Sequence, residues 1–145
     1  MNISGAQKVK VFYSNSEAET ENIGAEFAGN LKDGSIVAMY GDLAAGKTAF
    51  VRGMAKGLGL DCTVSSPSFT IVNEYLGKER TLIHFDMYRL SSAEELFDIG
   101  WEDYLVRGAI CAVEWSENVE EAFFGDEIRV NIIKTGENRR KIEIC

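Results

Sequence analysis

The chain has 145 residues, 46% of them hydrophobic, which is enough for one globular domain with a buried core. It carries 15 Lys and Arg against 23 Asp and Glu, a formal net charge of −8. This balance argues against a sequence-independent grip on nucleic acid, which needs clustered basic side chains. The sequence shows neither a signal peptide nor an apolar run near the roughly 20 residues of a membrane span, so we expect a cytoplasmic protein without membrane contact.

The number and spacing of the cysteines and the histidine exclude several kinds of disulfide and metal site. Cys62, Cys111 and Cys145 are an odd number with wide spacing, which fits neither a disulfide framework nor a zinc knuckle. Cys111 lies in an apolar run and is interpreted as a small buried hydrophobe. His84 is the only histidine, so a multi-histidine metal site is excluded. We favour a packed or hydrogen-bonded strand histidine over a catalytic one.

The first half of the chain predicts two strands and two helices. Alternation predicts a strand over residues 8–13, and Ser14-Asn15-Ser16 supplies cap oxygens for a helix that runs to about Leu31. Four residues are expected to form the apolar face of this helix: Ala18, Ile23, Phe27 and Leu31. The nearly all-apolar residues 35–40 predict a strand covered on both faces. A Gly-rich turn follows, and a second helix begins near Gly46 and ends around residues 57–59.

The second half predicts further strands and short helices. Residues 65–68 hold the only proline and should form an exposed, extended loop. Strand-like segments at 69–76 and 81–89 predict an antiparallel hairpin. A capped helix starts at 91–95, a helical turn or two covers 101–106, a buried strand covers 109–113, and strands near 127–133 and 140–144 form a C-terminal hairpin. We predict one α/β domain over residues 1–145, a P-loop NTPase-type three-layer sandwich with a mixed, partly antiparallel sheet.

The turn after the second strand carries the strongest motif. Gly41-Asp42-Leu43-Ala44-Ala45-Gly46-Lys47-Thr48 matches G-x-x-x-x-G-K-[ST] at every fixed position, between a buried strand and a helix. In this setting backbone N–H groups and the helix N-terminus bind phosphates, the lysine reaches the outer phosphate oxygens, and the threonine hydroxyl can ligate Mg²⁺. The sequence therefore predicts binding of ATP or ADP with Mg²⁺. An ordinary Gly-rich turn is the less favoured alternative.

Residues 41–48 are called the phosphate loop below. A loop of this kind acts together with a carboxylate at the end of a neighbouring strand. Asp86 follows the apolar segment 82–85, and Glu114 follows the apolar segment 110–113. Periodicity does not say which of the two holds the metal and which acts on water. At least one is expected to be functional.

Four segments in this order carry a resemblance to a known family. They are the motif at 41–48, Ser66-Pro67-Ser68-Phe69, His84-Phe85-Asp86-Met87-Tyr88-Arg89-Leu90, and Glu114-Trp115. With them, the chain resembles the TsaE (YjeE) family, the bacterial ATPase of tRNA threonylcarbamoyladenosine synthesis. The resemblance runs from about residue 14 to residue 115.

The resemblance implies a function in tRNA modification. Family members serve the attachment of a threonylcarbamoyl group to the adenosine next to the anticodon. TsaC makes the threonylcarbamoyl-adenylate, and TsaD with TsaB transfers the group. The ATPase binds the TsaB–TsaD pair and resets it between turnovers, so tRNA is met indirectly or through the complex.

The resemblance also assigns residues by matching position. Thr48 and Glu114 would be the Mg²⁺ ligands, and Asp86 and Lys47 would be catalytic, with Asp86 acting on the attacking water or on its hydrogen-bond network. The loop Ser66-Pro67-Ser68 would be a switch-like element near the terminal phosphate. The stretch from Ser14 to Thr20 would lie close to the adenine.

Two residues of the loop depart from the family pattern G-D-L-G-A-G-K-T-T. Ala44 places a Cβ where the backbone can need an unusual φ, and Ala49 lacks a hydroxyl that could touch the α-phosphate. Lys47 and Thr48 are both present. We expect weaker nucleotide affinity at most.

Other polar and aromatic residues keep two interpretations. Arg52 and Arg89 are equally compatible with phosphate or partner contacts and with surface ion pairs. Trp115 is by default a core residue, with packing at a nucleotide or protein interface as the alternative. The basic group Lys134, Arg139, Arg140 and Lys141 is interpreted as a solvated hairpin, because acidic residues interleave.

The sequence is compatible with three functions. The favoured one is a slow, partner-controlled ATPase. The alternatives are a nucleotide-dependent binding switch with incidental hydrolysis, and a small-molecule kinase. The kinase is disfavoured because the short segments between strands leave no room for a lid.

Overall fold

The computed structural model describes residues 9–42, 44–67 and 70–145. Four residues on which predictions depend lie outside the described residues: Lys8 at the start of the first strand, Leu43 in the phosphate loop, Ser68 in the switch-like loop, and Phe69 at the predicted start of a strand. Within the described ranges, no helix has the length and apolar character that crossing a membrane requires.

The described residues form seven strands and four α-helices, with two single-turn 3₁₀ helices near residue 120. The strands are β1 (Lys10–Ser14), β2 (Ile36–Tyr40), β3 (Val72–Leu76), β4 (Thr81–Asp86), β5 (Ile110–Glu114), β6 (Ile128–Lys134) and β7 (Arg140–Ile144). The helices are α1 (Glu17–Gly29), α2 (Lys47–Gly57), α3 (Ala93–Asp98) and α4 (Trp101–Val106). Each predicted element occurs, with ends shifted by a few residues. β4, for example, ends at Asp86 instead of residue 89.

All seven strands belong to one mixed sheet in the order β1-β7-β6-β2-β5-β4-β3. β6, β2, β5 and β4 run parallel, whereas the β3–β4, β6–β7 and β1–β7 pairs are antiparallel. Successive strand residues face opposite sides, so Val37 joins the core cluster around α1 and α2 while Ile36 joins the cluster around α3 and α4. The predicted α/β fold with a mixed, partly antiparallel sheet is confirmed.

Helices α1 and α2 pack against each other through small residues. A Cβ on Gly53 would lie 1.9 Å from the Glu21 carbonyl oxygen, and a Cβ on Gly24 would lie 2.3 Å from the Phe50 carbonyl oxygen. The helix backbones therefore approach too closely for larger side chains. The predicted apolar face of α1 is wrong at Ala18, which is exposed. The fully buried positions are Thr20, Gly24 and Ala28, because the contact selects for size more than for hydrophobicity.

The parallel strands bring the predicted site together at one edge of the sheet. β2 leads into the phosphate loop and α2, and its neighbour β5 lies between β2 and β4. The register pairs Asp86, the last residue of β4, with Glu114, the last residue of β5. Carboxyl ends of parallel strands, where connections leave the sheet, are the usual place for a ligand site in α/β proteins.

Candidate nucleotide-binding site

The phosphate loop has an unusual backbone. Gly41, Ala44 and Gly46 have φ values of 154°, 62° and 108°. A Cβ on Gly41 would come within 2.7 Å of the Ile132 carbonyl oxygen, so this position needs glycine. Ala44 adopts the left-handed conformation that glycine would take more easily, as its departure from the family pattern led us to expect. The Ala45 N–H donates to the Asp42 carbonyl at 3.1 Å and closes the turn.

Lys47, the first residue of α2, is only 5% exposed. Its ammonium donates to the Gly41 carbonyl and lies 3.6 Å from the centroid of the Trp115 ring. Burial lowers the pKa of Lys47, while the nearby carboxylates, Glu114 first, oppose this shift. Trp115 has a φ of 58° and is half-buried, because its ring packs against the core cluster around α3 and α4 on one side and lies beside the lysine on the other. The strand-end turn directs this ring toward the site.

Glu114 connects the loop with the strand histidine. The Thr48 hydroxyl donates to Glu114 Oε2 at 3.1 Å, and His84 Nε2 lies 2.5 Å from the same oxygen. His84 is fully buried and Glu114 nearly so. The interpretation of His84 as a packed, hydrogen-bonded strand residue is confirmed. A hydroxyl and a carboxylate in contact are hard oxygen donors, so this pair fits Mg²⁺ with water completing the shell.

Asp86 has different surroundings from Glu114. Its Oδ1 accepts the Tyr88 N–H at 3.0 Å, and its Oδ2 accepts the Ser66 hydroxyl at 3.4 Å. The switch-like loop therefore contacts this carboxylate through Ser66. The expectation of an exposed loop is wrong at Pro67, which is buried, and its carbonyl accepts the Ile71 N–H at 2.7 Å.

These side chains border one open cavity of about 540 Å³. Its lining combines the phosphate loop, the two strand-end acids and the start of α1: Ser16, Glu17, Thr20, Ala44, Ala45, Gly46, Lys47, Thr48, Ala49, Arg52, Ser66, Asp86, Tyr88, Arg89, Glu114, Trp115, Asn138 and Arg140. Among the predicted site residues that the structure describes, four do not line it: Ser14, Gly41, Asp42 and Pro67. Ser14 supports the lining from behind, because its hydroxyl lies 2.8 Å from that of Thr20.

Two arginines of the lining have defined partners. Arg52 forms ion pairs with Glu17 at 2.8 Å and with Glu21 at 3.2 Å, in line with the surface ion-pair interpretation. Arg140 was missed. The assignment of residues 134–141 to a solvated hairpin is wrong for this residue, whose Nε donates to the Ala45 carbonyl at 2.7 Å. No local sequence signal distinguishes Arg140 from its exposed neighbour Arg139, because the contact depends on the pairing of β7 with β1 and β6.

Comparison with known proteins gives a consistent family relationship. The family described as "Threonylcarbamoyl adenosine biosynthesis protein TsaE" matches residues 14–142. The tRNA threonylcarbamoyladenosine biosynthesis protein TsaE of Treponema pallidum is 37% identical over 132 residues, or 91% of this chain and 97% of that protein. The protein of the same name from Bacillus subtilis is 37% identical over 124 residues, or 86% of this chain and 77% of that protein.

A solved structure shares the fold. The crystal structure of Bacillus subtilis YdiB superposes with a TM-score of 0.82 at 31% identity. The superposition covers 97% of this chain and 87% of that chain.

Proposed function

The chain belongs to the TsaE family, and from this premise we propose that it is a magnesium-dependent ATPase of tRNA threonylcarbamoyladenosine biosynthesis. Its substrate is ATP, which it hydrolyses slowly by itself. Its partners are TsaB and TsaD, and it meets tRNA through their complex. The role in tRNA modification is supported by the names of the relatives, and the ATPase chemistry is supported by the site.

The observation that carries the proposal is the convergence of the phosphate loop and two strand-end acids on one cavity of about 540 Å³. The cavity is open and large enough for a nucleotide. The loop's backbone and the N-terminus of α2 provide partial positive charge for phosphates. Lys47 adds a full charge at the same place. An ordinary turn into a helix would not bring Asp86 and Glu114 to this position.

The position of each site residue determines the role that we assign to it. Lys47 binds the outer phosphate oxygens in exchange for its contact with the Gly41 carbonyl. Thr48 and Glu114 hold Mg²⁺, which would neutralise phosphate charge when bound. Asp86 orients the attacking water and accepts hydrogen bonds in the surrounding network. The start of α1, at Ser16 and Thr20, borders the side of the cavity where the adenosine would lie.

The loop after α2 supports a switch-like role near the terminal phosphate. Ser66 contacts Asp86, so movement of this loop changes the surroundings of the acid. At Ile71, where the loop returns to β3, φ is 71°, an unfavourable value for a β-branched residue. Strain of this kind typically occurs at functional segments with more than one arrangement. We propose that ATP and the partners set the arrangement of this loop.

Phosphate release separates the ATPase from a binding switch with incidental hydrolysis. We expect the purified chain to bind ATP with Mg²⁺ and to release phosphate slowly, with faster release in the presence of TsaB and TsaD. Binding without phosphate release under either condition would support the switch. Transfer of the phosphate to an added metabolite would support a kinase, and absence of ATP binding would contradict all three functions.

A further inference from the structure

The side chain of Arg140 donates hydrogen bonds to two separate segments, the phosphate loop and the β6–β7 turn. On one side, Nε donates to the Ala45 carbonyl at 2.7 Å and Nη2 donates to the Ala44 carbonyl at 3.2 Å. On the other side, Nη1 donates to three carbonyls of the β6–β7 turn: Arg139 at 2.9 Å, Gly136 at 3.3 Å and Glu137 at 3.3 Å. The guanidinium thus joins the phosphate loop to the C-terminal hairpin.

The backbone of Arg140 is itself well fixed. In the sheet, Arg140 pairs with Ser14 of β1 on one side and with Lys134 of β6 on the other. Ser14 in turn lies against Thr20 at the base of the cavity. The guanidinium therefore extends from the first residue of a strand that is paired on both sides, which gives the phosphate loop a rigid anchor.

The bonds of Arg140 determine how the loop presents its N–H groups. In a trans peptide, the C=O and the following N–H point in opposite directions. With the carbonyls of Ala44 and Ala45 held against the guanidinium, the Ala45 N–H is turned toward the Asp42 carbonyl, to which it donates at 3.1 Å, and the Gly46 N–H is turned to the other side of the loop. The same contact stabilises Ala44 at a φ of 62°, which an alanine does not adopt readily.

We infer that Arg140 is a positioning residue of the phosphate loop, which it holds in its phosphate-binding conformation by bracing the carbonyls of Ala44 and Ala45. This inference rests on the proposed nucleotide-binding function and deepens it. The brace is bidentate: a planar guanidinium reaches both loop carbonyls and the hairpin at once, whereas an ammonium offers a single point of attachment. The role therefore belongs to arginine and not to positive charge in general.

Direct contact of Arg140 with a phosphate is the alternative, and it makes different predictions. A residue that binds phosphate by charge would be partly replaced by lysine, and its loss would reduce the salt dependence of nucleotide binding. A brace would not be replaced by lysine, and its loss would change the loop before any nucleotide is added. In the structure, Nε, Nη1 and Nη2 each already donate to a carbonyl, which favours the brace.

The test compares Arg140→Ala and Arg140→Lys with Arg139→Ala. Arg139 is the exposed neighbour on the same hairpin, so its variant removes the same charge without touching the loop. The first measurement is amide hydrogen exchange of the nucleotide-free protein over residues 41–48. We expect exchange at least about ten-fold faster in both Arg140 variants and unchanged in Arg139→Ala, because a charge-assisted carbonyl contact is lost.

The second measurement is calorimetric titration with ADP at two salt concentrations. We expect affinity about ten-fold weaker in both Arg140 variants, with the salt dependence of the wild type retained. Wild-type exchange and affinity in Arg140→Ala would overturn the inference, as would full retention of both in Arg140→Lys. If Arg140→Ala does not fold, as judged by circular dichroism, Arg140→Lys decides. A wild type that fails to bind ADP or ATP contradicts the proposed function, whereas the exchange measurement still tests the brace.

Discussion

Asp86 and Glu114 are register partners at the ends of the neighbouring parallel strands β4 and β5, yet their carboxylates contact different groups. Glu114 accepts the Thr48 hydroxyl and lies against buried His84. Asp86 accepts the Tyr88 N–H and the hydroxyl of Ser66 in the switch-like loop. The sequence alone leaves their roles open, because both acids follow an apolar strand. Their contacts support a metal role for Glu114 and a water-ordering role for Asp86.

Glu114→Gln and Thr48→Ala should remove the effect of Mg²⁺ on nucleotide binding. Each variant removes one of the two oxygen donors that we assign to Mg²⁺. The affinity of the variant for ADP in the presence of Mg²⁺ should therefore fall roughly ten-fold, to the affinity that the wild type has for ADP in EDTA. Calorimetric titration with and without Mg²⁺ provides the measurement. Glu121→Gln is the control, since this exposed acid is close in sequence but does not line the cavity. A Glu114→Gln variant that keeps its full response to Mg²⁺ would exclude Glu114 as a ligand.

Asp86→Asn should bind nucleotide normally and lose most hydrolysis. The amide retains the shape of the side chain but is a poor proton acceptor, so the loss should fall on the transition state and reach about 100-fold. ADP affinity and single-turnover phosphate release should be measured on the same preparation. The matched control is Asp98→Asn, at an exposed aspartate on α3. Unchanged phosphate release in Asp86→Asn would transfer the role to Glu114 or to a partner residue.

Lys47→Ala should weaken ATP binding by at least about ten-fold, because it removes a buried positive charge from the phosphate site. Lys56→Ala is a matched control on the same helix: its ammonium pairs with Glu21 at 2.6 Å and does not line the cavity. Calorimetric titration of the wild type, Lys47→Ala and Lys56→Ala with ATP measures the three affinities. Equal ATP affinities in the wild type and Lys47→Ala would refute the assignment of the phosphate loop.

The elements of the fold are predictable from local pattern, whereas several features of the site are not. The loop motif, the buried strands and the hairpins follow from sequence periodicity and turn residues. The bonds of Arg140 depend on residues about 95 positions away, so no window of sequence contains them. The orientation of Trp115 follows from its φ of 58°, which its residue type does not favour. At α1, close approach to α2 selects glycine and alanine, and hydrophobic periodicity does not detect that requirement.

Cys111 offers a test of the core that does not depend on nucleotide. Burial raises the pKa of its thiol from 9.0 to about 12, so at pH 8 the native protein should hold roughly one thiolate in ten thousand. The unfolded thiol ionises at lower pH than the folded one. The unfolded state therefore binds fewer protons between pH 9 and pH 12, and this residue's contribution to stability is lost as pH rises through that range.

Two measurements check this prediction. A thiol reagent should modify exposed Cys62 and partly exposed Cys145 in the native protein and Cys111 only at the rate of unfolding, with Cys62→Ala and Cys145→Ala together removing the native-state phases. Chemical denaturation between pH 8 and pH 10.5 should show a shallower decline in stability for Cys111→Ala than for the wild type. Rapid native-state modification of Cys111 would mean that β5 is not packed as described.

The isolated chain should hydrolyse ATP slowly, and its partners TsaB and TsaD should accelerate the hydrolysis. Of the three arginines that line the cavity, Arg52 is engaged by two glutamates and Arg140 by loop carbonyls. An additional cation or an ordered switch loop supplied by a partner is worth orders of magnitude in phosphoryl transfer. Pro67 is buried, so the switch-like loop has an apolar anchor, and Ser66 beside it is exposed and can be reached by a partner. The net charge of −8 favours a protein over tRNA as the first contact.

The assay measures phosphate release by the chain alone, then with TsaB and TsaD, and then with tRNA added, alongside a pull-down. Lys47→Ala in place of the wild type reveals any hydrolysis contributed by the partners themselves. We expect stimulation of at least about ten-fold by the pair, and none by tRNA without the pair, because acidic surface and nucleic acid repel each other. Ser66→Ala should reduce the stimulation more than the basal rate, since its hydroxyl links the loop to Asp86. Rapid turnover by the chain alone, with no retention of the pair, would contradict control by these partners while leaving the nucleotide site intact.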